Sequence, residues 1–560
     1  MKKLQYILLA ALSASMLTGC NLDFAPSDEL NAEVLLQDEA GAEYVIDGCY
    51  AMFRDEVDFL GYASGNTYVR HYFQMTEFQG DNCCLSGITT DPLYQAYAYK
   101  MTDDLKNVGT LWWIAYKVAY MANTVIETIE KKEATPATDQ LLGEAYFLRG
   151  LVHFHMVTMF AKPYVCGREN VGVVLRTSTN TEKTTRATVG ECYDQIASDL
   201  TKASELMTVA GRGNAGYASR NSALGLLSRV YLYMGEDQKV IDIVNGMLGG
   251  ADASSVLDPD LANYFRNAVN SKETLFCIAH TPLETKGQSS IGSMYLNDGM
   301  GWGEIYPSDP LLNLYERYPS DVRYTAYCLP QVNDGSKIQV NFPIFNNDDA
   351  SGRPNALVLA TPNADGVSYD ITYESQSLKV VPKTVHGEYT EYEVMYDGEM
   401  RPARVYPAQL KNRYNYPIWY MSRFSYQDGD PMLSSPVFVR WGEVILNRAE
   451  AYARSGQDAK ALADVNAIRT RANIPVEGMF SANQMHGYTN VFDVVMDERR
   501  MELAFEGHRA FDVYTNKMKL DRRYPGCHPW EEVDYTDDRI QNPIPYCEYS
   551  VSGIQQNPGY

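Results

Sequence analysis

Two stretches of this chain, YASRNSALGLLSRVYLYMGEDQKVIDIVNGML from Tyr217 and VRWGEVILNRAEAYARSGQDAKALADVNAIRTRA from Val439, follow one plan. A helix carrying small residues (Ala223, Gly225 and Ser228; Ala449, Ala451 and Ala453) runs to a turn at Gly235-Glu236-Asp237 or Ser455-Gly456-Gln457, and a second amphipathic helix returns. Completed within about 34 residues, this is the helical hairpin of tetratricopeptide units. A single hairpin cannot bury its apolar stripe, so several must stack.

Further apolar periodicity at three- and four-residue spacing predicts helices over 43–53, 111–129, 140–160 and 189–207, with 219–234 and 238–247 forming the first hairpin and 490–518 a last helix. Between about 250 and 432 the texture changes to Pro-, Gly-, Asn- and Tyr-rich stretches with short alternating runs at 337–345 and 390–395. These read as loops and short β-hairpins. The expected architecture is mainly α: one domain over 41–560, with a tetratricopeptide-like scaffold (41–249 and 433–518), an irregular insertion with short β-hairpins on one face (250–432) and a C-terminal tail (519–560).

At the start, Lys2 and Lys3 precede an apolar run over 4–17 that ends in Leu17-Thr18-Gly19-Cys20. That is a signal peptide over 1–19, and the run is shorter than the roughly 20 apolar residues of a spanning helix. The Leu-Thr-Gly-Cys tetrad resembles a bacterial lipobox, which predicts a lipid on Cys20 and a tether over 20–40. Two or more acyl chains suffice for stable anchoring. A formal net charge of −23 and a pI near 4.8 exclude nucleic acid, whose binding is driven by phosphate neutralisation, and disfavour an anionic membrane surface. Ten cysteines, Cys20 among them, leave nine with no metal-type spacing, so mostly buried thiols and one or two bridges are expected. The 42 tyrosines outnumber the 18 phenylalanines, an aromatic balance that suits wet surfaces as well as cores.

Several ordered blocks resemble the SusD/RagB family of outer-membrane lipoproteins: LLGEAYFLRGLVHFHMVTMFAKPYV (141–165), RATVGECYDQIASDLTKASELM (186–207), RWGEVILNRAEAYARSGQ (440–457), DVNAIRTRANIP (464–475), DERRMELAFEGHRAFDV (497–513) and the terminal QNPGY (556–560). TEFQGDN (76–82) and LWWIAYKVAYMANTVI (111–126) also fit. The resemblance implies a lipid-anchored protein on the outer membrane, facing the cell exterior, with four tetratricopeptide-like units lying over a SusC-like TonB-dependent transporter. Its cargo would be an oligosaccharide, or a peptide in the RagB branch. The acidic residues that follow the lipidated cysteine in the family are sparse here, with Asp23 alone before Asp28 and Glu29.

A sugar site needs aromatic faces to stack on pyranose rings and polar groups for the hydroxyls. The candidates are Trp302 in the glycine-rich NDGMGWGEIYPSD, where the glycines would let a ligand approach, then Tyr94, Tyr97 and Tyr99, and Trp113 on a helix. Asp81, Asn82 and Asp298 are the candidate polar partners, although a Gly-Asp-Asn turn equally serves to cap the next segment. Trp112 and Tyr116, four apart on a helix, read as core, as do Trp419 and Tyr420 on a strand. Glu498, Glu502 and Glu506 fall on one helical face, but the neighbouring Arg499, Arg500 and Arg509 mark a structural ion-pair network and not the carboxyl pair of a glycosidase. His153 and His155 point to different faces of a helix, so no metal pair is expected there. No HExxH, GxSxG or P-loop is present, NNDDASG (346–352) lacks EF-hand spacing, and neither catalytic residue nor cofactor is expected. A non-enzymatic binder that passes oligosaccharide to a transporter leads. Its rivals are a peptide-binding lid, a surface glycosidase and a purely structural lid.

Overall fold

The computed structural model describes residues 39–560 apart from 86, 88, 181, 183–184, 210, 345–354 and 387–388. The signal peptide, Cys20, most of the tether and the acidic turn at 346–352 therefore lie outside the described residues.

The scaffold is built from α1 (Glu39–Arg54), α2 (Tyr68–Phe78), α3 (Lys106–Ile129), α4 (Pro136–Phe160), α5 (Val189–Leu206), α6 (Arg220–Met234), α7 (Asp237–Leu248), α8 (Trp441–Arg454) and α9 (Asp458–Arg471). The helices expected up to residue 472 are all present, and several start at side-chain caps that the sequence offers. Thr135 and Thr138 close a capping box on α4, as do Thr188 and Glu191 on α5 and Ser219 and Ser222 on α6. The turns of the two hairpins contain left-handed Gly235 and Gly456, as the sequence requires. Successive helices from α3 to α7 pack on one another, and α7 then packs on α8, which joins the two halves of the scaffold across the insertion.

The centre is aromatic. Tyr72 stacks on His155 with centroids 4.0 Å apart, and Phe73 stacks on Phe438 at 5.3 Å, where α2 and α4 meet the strand pair Thr274–Cys277 and Val437–Arg440. Burial accounts for the two histidines. His155 bonds the Tyr68 hydroxyl through Nδ1 at 2.8 Å and is held well below its ordinary pKa, while His153 accepts from the Arg176 amide at 3.1 Å and is pushed down to about 3.

One expectation is sharpened and two are corrected. The short hairpins of the insertion close into a barrel. Its strands β1 (Ile338–Pro343), β2 (Asn355–Pro362), β3 (Tyr369–Tyr373), β4 (Gln376–His386), β5 (Tyr389–Tyr396) and β6 (Glu399–Tyr406) each pair antiparallel with the next, and β6 returns to β1 with Val405 opposite Val340. Val340, Phe342, Ala356, Ile371, Val380 and Val394 fill it. Arg404, buried at its base, pairs with Glu316 at 2.6 Å and so ties the barrel to the segment after helix Asp309–Tyr315.

The expected last helix is two, α10 (Val491–Glu502) and α11 (Arg509–Thr515). Phe505 and Gly507 between them take left-handed backbone, and their amides donate to the buried Glu77 carboxylate at 3.0 and 2.9 Å. Among the described residues all nine cysteines are free thiols, seven of them buried, so the expected bridges do not form. The C-terminal tail is fixed in place: the buried Asn557 side-chain amide donates to the carbonyls of Phe160 and Asn542 at 2.8 and 2.7 Å, which holds the terminal QNPGY against α4.

Candidate functional site: an aromatic surface around Trp302

The glycines about Trp302 set the loop's backbone. A Cβ on Gly301 would lie 1.7 Å from the Leu296 carbonyl oxygen, and Gly303, left-handed, would meet the Tyr420 ring at 2.6 Å. Two amide bonds, Trp302 to the Ser293 carbonyl at 2.6 Å and Glu304 to the Met294 carbonyl at 2.8 Å, fasten the loop, and the indole N–H donates to the Gln288 carbonyl at 3.2 Å. With that edge held, the ring stands 49 % exposed.

Beside it the chain leaving the barrel makes a tight hairpin, Asn412–Arg413 paired with Tyr416–Pro417. Both turn residues, Tyr414 and Asn415, have φ near +55°, at 52° and 60°, the signature of a type I′ turn. The turn displays the Tyr414 ring 70 % exposed, with one edge resting against Gly87. Arg413 joins the two aromatics: its guanidinium reaches the Trp302 carbonyl at 3.4 Å, lies 5.8 Å from the Tyr414 ring centre and pairs with Glu304 at 2.6 Å. Thr89 donates to the other Glu304 oxygen at 2.9 Å, and the half-buried Tyr420 backs Gly303. Two open flat faces flank a row of charged donors and acceptors, which is the composition that binds sugar rings by stacking and hydroxyls by hydrogen bonds.

The other expected residues lie elsewhere or face inward. Asp81 is buried between Arg509 at 2.8 Å and Arg500 at 3.2 Å, and Asn82 accepts from Arg500 at 2.9 Å. Burial alone would raise the Asp81 pKa, but Arg500 and Arg509 hold it below the usual carboxylate range. Neither group faces solvent for a sugar. Tyr97 is fully buried, its hydroxyl on His528 at 2.6 Å, and the buried Tyr99 hydroxyl donates to the Gln79 carbonyl, with Arg522 stacked over both rings. Tyr97 ends a short helix, Tyr94–Tyr97, and Tyr99 follows it, and both pack as core; Tyr94 is half-buried and donates to the Cys527 carbonyl at 2.8 Å. Asp298 is exposed and accepts from Tyr426 at 2.8 Å. Trp113 is exposed on α3, in a cleft that shares no lining residue with the Trp302 surface.

Trp112 and Trp419 are core, as expected. Tyr414, Arg413 and Glu304 escaped the sequence reading. The signal for Arg413 and Tyr414 was the Asn-containing turn in NRYNYP, which places Tyr414 at a hairpin tip, and Glu304 stands two residues beyond Trp302.

Glu498 and Glu502 on α10, with Glu506 beyond its end, form an ion-pair core, but with other partners than their sequence neighbours. Arg440 binds Glu273, Glu502 and Glu506 at 2.8, 2.6 and 2.8 Å, and Arg323 binds Glu498 at 2.6 Å and Asp321 at 2.7 Å. Burial alone would raise the Glu502 pKa, yet Arg471, Arg440 and Arg323 hold it well below the carboxylate range. Arg499 turns instead to Asp512 and Glu450. The network fastens insertion residues Glu273, Asp321 and Arg323 to the scaffold helix. Among the described residues no group of His, Cys, Asp or Glu is arranged to hold a metal.

A stacked-hairpin scaffold thus presents an open aromatic surface, with Glu498 and Glu502 of α10 held in buried ion pairs. Comparison with known proteins supplies the class. Residues 272–560 match the model of the SusD family, and residues 62–232 match a SusD-like model described as starch-binding associating with outer membrane. The chain belongs to the SusD family, carbohydrate-binding proteins associated with the outer membrane. It is 24 % identical over 474 residues to SusD-like protein P2 of Formosa agariphila, covering 82 % of each chain, and 20 % identical over 534 residues to SusD-like protein P38 of that organism. Its fold is shared with a SusD superfamily protein from Bacteroides thetaiotaomicron (TM-score 0.68, 22 % identity, 93 % of this chain and 99 % of that one) and with surface glycan-binding protein A from Bacteroides fluxus (TM-score 0.60, 18 % identity, 93 % and 100 %).

Proposed function

We propose that the protein is a non-catalytic lipoprotein, tethered through Cys20 on the outer face of the outer membrane, that binds oligosaccharides on the Trp302 and Tyr414 surface and passes them to a SusC-like TonB-dependent transporter. The observation that carries the binding step is the pair of open rings joined by Arg413. Lipid anchoring, outward facing and the transporter partner are supported by family membership and by the lipobox-like tetrad.

A glycosidase needs a carboxylic acid of raised pKa facing a cleft. The acid at this surface, Glu304, is held by Arg413 and Thr89, whereas Glu77, which burial pushes up to about 7, lies under the α10–α11 break with its oxygens on backbone amides. These placements support a reading of binding without turnover.

The test is native gel electrophoresis of the mature protein through starch, xyloglucan, arabinoxylan, mannan, laminarin and pectin, with product analysis of each mixture, and capture of the tagged chain from solubilised outer membranes. Retardation by at least one polymer, no released sugar and co-capture of a large barrel protein are expected. Released sugar, or retardation by none of the polymers, overturns the binding reading; capture without a barrel overturns the transporter partner.

A further inference from the structure

Helix α3 breaks the usual rule for a surface helix. Its outward face carries Trp113, Tyr116, Lys117 and Tyr120, at three- and four-residue steps, and Trp113 and Tyr120 are 38 % and 42 % exposed where polar residues are the norm. Tyr116 is pinned between Trp112, at 4.8 Å between centroids, and the Val174 carbonyl, to which it donates at 2.9 Å. Trp113 is steadied on its other side by Phe59 at 6.2 Å.

This face is one wall of a cleft of about 350 Å³. Val174 and Arg176 form a second wall, and the C-terminal segment closes the third with Glu548 and Ile554. The volume lies within the range of small-molecule sites, roughly 300 to 1,000 Å³, and so does the plan: an apolar aromatic floor with a few charged groups converging on it. Trp113 and Tyr120 stand seven residues apart, about 10 Å along the helix axis, enough for two stacked rings in succession. Lys117 and Arg176 supply donors and Glu548 an acceptor at the rim. The tail that completes the cleft is held in place, since Asn557 is buried against α4 and Gln556 bonds the Ile544 amide at 2.7 Å.

We propose that this cleft is a second glycan-binding site, taking one or two neutral pyranose units of the same polymer. The inference rests on the glycan-binding reading of the Trp302 surface and adds to it a grip on another part of the chain. Two linked sites raise the avidity for a long polymer without altering the affinity for a unit that fills one of them.

Isothermal titration tests this with the tetrasaccharide of whichever panel polymer the wild type binds most tightly, using wild type, Trp302→Ala and the pair Trp113→Ala with Tyr120→Ala. These side chains are exposed enough that the fold survives, as an unchanged thermal midpoint verifies. Two tetrasaccharides per wild-type chain and one in each variant are expected, with polymer retardation reduced at least about threefold in both variants. A wild-type stoichiometry of one, or an unchanged stoichiometry in the Trp113/Tyr120 variant, overturns the second site and leaves the Trp302 reading standing. Loss of barrel co-capture in that variant with its stoichiometry still two overturns it in favour of protein docking. A wild type that none of the polymers retards fails the glycan reading itself, and the second site with it.

Discussion

At Asp81 a single carboxylate faces two buried guanidiniums, and the position separates a binding role from a structural one. Removing one partner of a buried pair leaves charge uncompensated, at about 3–5 kcal/mol. Asp81→Ala should therefore lower stability by that order in chemical denaturation, while the protein that remains folded binds glycan as the wild type does; reduced affinity at unchanged stability would return Asp81 to the ligand. Glu77 makes a prediction about pH. Its folded pKa of about 7 exceeds the ordinary value near 4.3, so its proton contributes stability that is fully present below about pH 4 and is lost as pH rises through 7. The thermal midpoint of Glu77→Gln should fall less steeply than the wild type's between those limits. Parallel profiles would show that Glu77 does not titrate in that window.

Among elements, the helices were legible because a helical stripe and its caps are written within a dozen or so neighbouring residues. The barrel was not. Its alternating strands could be read, but the closure of β6 on β1 joins residues some sixty positions apart, and no local pattern encodes it. The α10–α11 break was equally hidden, since its cause is a glutamate on α2. The candidate site was half legible: Trp302 stood out on its loop, whereas Tyr97 and Tyr99 looked like loop residues and are core, and Tyr414 gained its exposure from a two-residue turn. Because Gly301 leaves no room for a Cβ against Leu296, Gly301→Ala should displace the Trp302 loop and weaken glycan binding by about tenfold, with little change in the thermal midpoint of the helical scaffold. Binding within about twofold of wild type in titration would show that the loop's backbone does not set the site.

For the molecule as a whole, rigidity and openness are divided between its parts. The hairpin stack and the buried arginine–glutamate network fix the insertion on the scaffold, and two loops of that insertion bring Trp302 and Tyr414 to the surface as a preformed platform. Such a platform binds with little reorganisation, so its affinity should reside in the rings themselves. Isothermal titration of the tetrasaccharide into Trp302→Ala/Tyr414→Ala, in a chain whose thermal midpoint matches the wild type's, isolates that contribution. Loss of both stacking faces should weaken the Trp302-surface site by about 2 kcal/mol or more, roughly thirtyfold in dissociation constant; a dissociation constant within about twofold of the wild type's would contradict the assignment of this surface.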